Sequence, residues 1–399
     1  MKKDITNRKA LFALAIGGFG IGLTEFVIMG ILPDVANSLN LSIPKAGHFI
    51  AAYALGVVVG APLLTAINGK LQPNRMLLFL MIWFTVFNTL SAFSVNYQML
   101  LLMRFLSGLP HGAFFGIGAV VAGKLAKEGK SAQAIATMFA GLTIANVIGV
   151  PVGTYLGHVY HWSASFLMVG VVGLATLASI FLWMPEIRPE IRSSDTSQEK
   201  GLRNVELWAL IALTTIGTGG FFAWYSYIAP LITQVAKLSE HMVSYAMILA
   251  GLGMVIGNFL GAKMTALFSP VKAVAISLSA MVLLLLINSL FATNPYLVLV
   301  MTFVIGMVSF TVATPIQMAI INTSKGAEML GSSMNQSAFN MGNASGAYFA
   351  GLPIAYGYGV ASAGLVGAML ASLGVAISVG LISYRKYKSR RRRNMAFSG

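Results

Sequence analysis

Residues 33–60 read PDVANSLNLSIPKAGHFIAAYALGVVVG, and residues 230–257 read PLITQVAKLSEHMVSYAMILAGLGMVIG. At this offset of 197, 7 of the 28 positions are identical. They are Pro33, Leu41, Ser42, Leu55, Gly56, Val58 and Gly60, matching Pro230, Leu238, Ser239, Leu252, Gly253, Val255 and Gly257. Farther on, Asn146 and Gly149 fall on Asn343 and Gly346 without any shift. Apolar identities carry little weight in a chain that is 57% hydrophobic, but Pro, Ser, Asn and Gly coincide by chance less readily. A duplicated hydrophobic unit in one polypeptide points to a transporter of two halves with a binding site between them.

The composition around the repeat agrees. Of 399 residues only 9% are charged, and the mean hydropathy of +0.80 lies far outside the range of soluble domains. Apolar stretches of about 20 residues recur, each long enough to cross the hydrocarbon core as a helix. Spans are expected near 10–34, 46–67, 75–94, 97–122, 133–157, 163–184, 206–233, 242–266, 271–291, 295–321, 331–355 and 360–384. The fold class is therefore an all-α membrane protein of twelve transmembrane helices in two pseudo-symmetric six-helix bundles. Residues 1–184 form the first bundle, 185–204 a polar cytoplasmic linker, 205–384 the second bundle and 385–399 a basic tail. Short connections elsewhere make consecutive helices antiparallel neighbours. Met1-Lys2-Lys3 and the apolar run after it imitate a secretory signal, but the run is too long and shows no small-residue cleavage site before Pro33. It is expected to stay as the first span.

The chain has no Cys, which rules out disulfides, thiolate metal sites and a Cys nucleophile, and its five His residues lack ligand spacing. No metal or other cofactor is expected. The net charge of +15 suggests nucleic acid until the charges are placed. With a cytoplasmic N-terminus, 23 of the 26 Lys and Arg fall on inside segments; Lys45 and Lys237 lie outside and Arg104 within a span. That distribution orients membrane helices with both termini in the cytoplasm. The tail Arg390-Arg391-Arg392-Arg393 suits anionic inner-leaflet lipid rather than nucleic acid.

Glu25 sits nine residues before Asp34, the outer end of span 1, so it lies ~13 Å below that edge, near mid-bilayer. A carboxylate there is costly unless paired, watered or protonated, and such residues usually face a cavity. Burial disfavours its charge and a nearby cation restores it, so it can bind and release a proton as its exposure alternates. A structural, hydrogen-bonded Glu is the alternative. Arg104 on span 4 reaches a similar depth and is its natural partner; always protonated, it can hold an anion or tune the acid, or else cap carbonyls of span 1. His111, seven residues on, returns to nearly the same face and could relay protons or merely pack beside Pro110. Asp34 is a second candidate acid, or an interfacial residue.

Gly149-Val150-Pro151-Val152-Gly153 in span 5 gives a smooth, bent helix suited to rocking against a neighbour. The cluster from Gly17 to Gly22 lacks the spacing and context of a dinucleotide loop. In the second repeat Glu25 maps to Phe222 and Arg104 to Met301. There Phe221, Trp224, Tyr225 and Ile228 make one helical stripe, either lipid-facing bulk or an aromatic wall for a ring-bearing substrate. Gln317, Asn335, Gln336, Asn340 and Asn343 add uncharged hydrogen-bonding groups.

Together these residues resemble the major facilitator superfamily, in particular its twelve-span drug:proton antiporter branch and the arabinose-efflux-permease-like group, which includes chloramphenicol, sugar and purine exporters. Thr24-Glu25-Phe26 with Leu32-Pro33 looks like the family's span 1 acid motif, and Arg104-Phe105-Leu106-Ser107-Gly108 is similar to its span 4 proton-coupling motif. Gly149 to Gly153 looks like the span 5 motif that marks exporters. The loop after span 2 departs from the pattern: Gly69-Lys70-Leu71-Gln72-Pro73-Asn74-Arg75 lacks the acid that closes a charged inner gate, although Gly69 and Arg75 keep part of it. The resemblance implies a proton-coupled exporter of a small molecule in a bacterial inner membrane; a monomer is expected because each chain carries both halves, and Phe221, Trp224, Tyr225, Gln317 and Asn340 are the candidate substrate contacts. An uptake symporter is the nearest rival. A polytopic membrane enzyme would need clustered catalytic polar groups, which the spans lack.

Overall fold

The computed structural model describes residues 2–41, 43–46, 48–67, 72–187, 204–239 and 241–397. In a hydrocarbon solvent every backbone polar group must bond internally, and these apolar runs accordingly fold as helices. The first six long helices are α1 (Lys2–Gly30), α2 (His48–Ile67), α3 (Pro73–Ala92), α4 (Tyr97–Leu125), α5 (Ser131–Val159) and α6 (Trp162–Trp183). The second six are α7 (Val205–Tyr225), α8 (His241–Leu267), α9 (Pro270–Leu290), α10 (Pro295–Thr323), α11 (Glu328–Ala355) and α12 (Ser362–Phe397). Among the described residues, eleven of these are long and apolar enough to cross a membrane. The exception, α11, has the length but carries Ser332, Ser333, Asn335, Gln336 and Asn340, all buried, on its inward faces. Large apolar side chains such as Val171, Phe181, Leu182, Leu283 and Leu290 stay exposed on the outside of α6 and α9, as a lipid-facing surface requires.

The duplication is visible in three dimensions. α2 packs on α4 where Gly56 and Gly60 lie against the carbonyls of Phe105 and Leu109; a Cβ on either glycine would overlap those oxygens. α8 packs on α10 in the same way, Gly253 and Gly257 lying against Phe303 and Met307. The offset is 197 for the glycines but 198 for their partners. The N-caps agree, since Asn96 accepts from the Met99 amide on α4 and Asn294 from the Leu297 amide on α10. The extra residue is in α9, which has 21 residues against the 20 of α3. Arg104 therefore corresponds to Thr302, not to Met301, and the sequence alignment at a fixed offset is corrected by one position.

Prolines decide where the helices are irregular. Pro151 cannot donate to the carbonyl of Val147, and α5 widens into a π-turn over Ala145–Gly149 just before it. Pro315 likewise withholds a donor from Thr311, and α10 breaks at Thr311–Val312 into bonds of the i to i+3 kind. The two bundles meet along α2 and α4 against α11, and along α5 against α8. These contacts include the half of the molecule that carries both chain ends. Gly69 and almost all of the expected linker 185–204 lie outside the described residues, whereas Arg75 is exposed at the start of α3. The expected tail continues α12 as helix to Phe397, and Arg385 pairs with Glu206 of α7.

Candidate functional site

Glu25 is 8% exposed, inside the first bundle and beside the fully buried Arg104. The two stand within electrostatic range, and Glu25 is also within range of Tyr53. Arg104 does not grip the carboxylate, however. Its Nη1 donates to the Thr24 hydroxyl at 2.9 Å and its Nη2 to the Thr24 carbonyl at 3.2 Å. Among the described residues Glu25 has no hydrogen-bond or ion-pair partner, and Nε of Arg104 has none either. The depth read from the sequence holds, since the arginine meets the residue next to Glu25, but its direct ligand is the neighbour.

Three further side chains, Tyr53, Phe166 and Asn88, help to hold Arg104 in place. Tyr53 of α2 lays its ring 4.4 Å from the guanidinium carbon, and Phe166 of α6 lies 5.5 Å away. Such ring faces compensate part of the desolvation of a buried cation. The Thr24 hydroxyl in turn donates to Oδ1 of Asn88 on α3 at 2.5 Å, and Asn88 Nδ2 donates to the Phe84 carbonyl. Tyr53 also shares a hydrogen bond of 3.0 Å with Nδ1 of His111. The result is one polar line through five residues: Asn88, Thr24, Arg104, Tyr53 and His111. It ends at His111, whose next ring neighbour is Phe115, itself stacked on Phe139 of α5 at 5.0 Å. Tyr53 and Asn88 each left a weak sequence signal, as isolated polar groups in otherwise apolar helices.

His111 is positioned by a repair. Pro110 cannot donate to the carbonyl of Leu106, and Trp83 Nε1 of α3 supplies that hydrogen bond at 2.9 Å. Trp83→Phe is expected to keep the ring but leave a buried acceptor unpaired, at about 1–2 kcal/mol. A lowered melting temperature of the purified protein would show it; an unchanged melt would mean the carbonyl finds water.

Asp34 is elsewhere. It pairs with His158 at 2.9 Å, both partly exposed, and so ties the segment after α1 to the far end of α5. Gly149 and Gly153 turn toward Phe19, Leu23 and Val27 of α1, so the smooth face of α5 beside Pro151 serves the helix that carries Glu25.

In the second bundle the aromatic stripe is buried rather than lipid-facing: Phe221, Trp224 and Tyr225 are at most 4% exposed. Phe221 stacks on Tyr225 at 5.0 Å, while Trp224 turns to α9 and donates to Oδ1 of Asn288 at 2.8 Å. Phe221 and Phe222 join Phe310, Phe339, Thr218 and Ser309 around an apolar cavity beside the break in α10. Both hydroxyls are already bonded to their own helices, at the Thr214 and Gly306 carbonyls. Gln317 belongs to a buried network in which Asn335 donates to its Oε1 at 2.6 Å and Thr214 donates to Asn335. Asn340 donates to the Gln336 carbonyl and keeps Oδ1 free; Gln336 keeps Nε2 free, next to Gly112 of α4. The structure thus brings Glu25, Arg104 and His111 together, gathers the aromatics separately, and leaves Asp34 apart.

Residues 14–351 match the family model described as Major Facilitator Superfamily. The inner membrane transport protein YdhP of Escherichia coli strain K12 is 39% identical over 384 residues, covering 94% of this chain and 96% of that protein. AraJ of the same organism is 38% identical over 381 residues, covering 96% of both chains. A protein of Helicobacter pylori strain 26695 named "Probable sugar efflux transporter" is 28% identical over 365 residues, covering 91% of this chain and 92% of its own. Among solved structures, the human organic anion transporter MFSD10 superposes with a TM-score of 0.74 at 14% identity, over 93% of this chain and 99% of that one. The E. coli fucose:proton symporter FucP gives 0.73 at 14% identity, over 93% and 98%.

Proposed function

The chain belongs to the major facilitator superfamily, and on that premise we propose that it exports a small organic, ring-bearing compound in exchange for protons. It is a multi-pass secondary transporter of small molecules rather than an enzyme, and transporters of this family carry no cofactor. In the proposed setting it is a monomer in a bacterial inner membrane with both termini in the cytoplasm. Residues 1–184 and 205–384 are the moving halves, and the basic end of α12 rests on anionic lipid.

One observation carries the coupling: a buried carboxyl with no hydrogen-bond or ion-pair partner among the described residues, beside an arginine that grips the adjacent Thr24 and keeps its Nε unbonded. Protonated, Glu25 needs no counter-charge. When it loses the proton, Arg104 is close enough to stabilise the anion; when it regains it, the cation is held by Thr24 and by the ring faces of Tyr53 and Phe166 alone. Tyr53 and His111 fix the guanidinium and define the polar end of the site. Gly149, Pro151 and Gly153 let α5 slide on α1 as access alternates. The cavity lined by Phe221 and Phe222 is apolar and the hydroxyl protons of Thr218 and Ser309 are already committed to helix carbonyls, which favours the apolar part of a cargo over a sugar. Gln336 and Asn340 keep one donor and one acceptor for the cargo's polar part.

Vesicles of known orientation, loaded with a pH-sensitive dye, test the reading with chloramphenicol, arabinose and uridine as cargoes. Movement of protons opposite to chloramphenicol or uridine, whose rings are aromatic or flat and unsaturated, is the expected result. Protons moving with the cargo would make the protein an uptake symporter, and transport of arabinose alone would overturn the substrate class.

A further inference from the structure

The bundles are joined at the end that bears both chain termini, yet the loop between α2 and α3 lacks the acid of a charged lock. Three hydrogen bonds between described residues cross from one bundle to the other. Thr65, near the end of α2, shares one of 2.7 Å with Ser333, near the start of α11. One turn farther along α11, Ser337 donates to the carbonyl of Val58 at 3.1 Å. That oxygen is free because Pro62, four residues on, has no amide hydrogen to give it. The third comes from Asn258 of α8, fully buried, whose Nδ2 donates to the carbonyl of Ala136 on α5 at 2.6 Å. The other end of the same amide, Oδ1, accepts from Thr314 of α10 at 3.2 Å.

None of these groups is ionised. We propose that this set of neutral hydrogen bonds is the gate at the terminal end, with Asn258 as its principal latch. Asn258 has the position such a part needs. Its amide is used on both sides, toward the opposite bundle and toward Thr314, which sits between the break at Thr311–Val312 and Pro315. A rearrangement at that break reorients the support of the latch and so weakens the bond to Ala136. Gly116 of α4 lets Ser333 approach its backbone, and Thr65 and Ser333 are both buried there. Neutral bonds of this kind are individually modest, so the gate opens in each cycle without separating buried ions. Unlike a charge pair, it should also be indifferent to ionic strength. This inference does not depend on the direction of transport or on proton coupling.

The cysteine-free chain allows two labels to be placed without background. Gln133→Cys at the start of α5 and Ala266→Cys at the end of α8 are exposed, on opposite bundles and at the same end. Spin labels there should report one dominant short distance in the full-length protein in lipid nanodiscs. Asn258→Leu, close in volume, should raise the ratio of long to short distances about three- to tenfold. Ser333→Ala should shift it the same way by less, and Ser277→Ala, whose hydroxyl bonds within α9, should not shift it. Should Asn258→Leu not fold, Thr314→Val keeps the amide and removes its support, and is expected to open the same end. An unchanged distribution in the Asn258 or Thr314 variant together with Ser333→Ala would overturn the proposal. So would opening of the parent protein by 0.5 M salt alone.

Discussion

Glu25→Gln is expected to reduce proton-driven transport by at least about 100-fold, the scale on which a positioned proton-transfer group acts. The amide is nearly isosteric, so packing around Thr24 and Phe26 should survive, and binding of cargo should be retained. Exchange of labelled for unlabelled cargo, which needs alternating access but no proton, should therefore continue. That split separates loss of coupling from loss of fold. Concentrative transport by the Gln variant at the parent rate would remove Glu25 from the mechanism. An Arg104→Lys variant is the informative partner, because a lysine cannot donate to both the hydroxyl and the carbonyl of Thr24 in the same forked geometry.

The largest effect on the fold is expected at Gly141. A Cβ there would overlap the carbonyl oxygen of Ala15 and lie near the amide of Phe19, so α5 and α1 touch backbone to backbone. No side chain can swing away to make room, and the helices would have to part along the surface that carries Glu25. Gly141→Val is expected to cost 3 kcal/mol or more on the order-of-magnitude scale for overpacking, enough to lose most of the monodisperse protein on extraction. Gly380→Val on α12, where no neighbouring atom lies within 4 Å, is the matched control and should behave as the parent. A monodisperse Gly141→Val with an unshifted melt would show that α1 and α5 are looser than their contact implies.

Much of this architecture could be read in advance because a bilayer leaves a chain few choices. Runs of about 20 apolar residues, a charge bias between loops and a repeated Pro-Ser-Gly pattern were enough for twelve helices in two similar halves. α11 was placed as a span from its length even though it is too polar for a simple hydropathy criterion; its amides face protein, not lipid. The single-residue slip between the halves was not legible. It arises from one extra residue in α9, which sequence identity at a fixed offset cannot detect but contacts between backbones can.

The site was legible in part. Glu25, Arg104 and His111 were recognisable because ionisable groups within apolar spans are conspicuous. What could not be read was which atom meets which. The pairing of Arg104 with Thr24 rather than Glu25 depends on rotamers and on the Tyr53 ring brought in from another helix. Nothing in the sequence singles out Trp83, and its role appears only when the orphaned carbonyl beneath Pro110 is followed to its donor. Trp224 could be read as lipid-facing bulk or as part of an aromatic wall; its hydrogen bond to Asn288, which ties α7 to α9, could not be read.

Among the described acidic residues, Glu25 is the one that lies deep within a helix of the bilayer core. In the proposed mechanism, a lone titrating carboxyl would limit each turnover to a single elementary charge. Swapping one proton for an uncharged molecule would then draw on transmembrane voltage as well as the pH difference. Swapping it for a monovalent cation would leave the voltage idle, so the electrical signature of turnover reports the charge of whatever is carried.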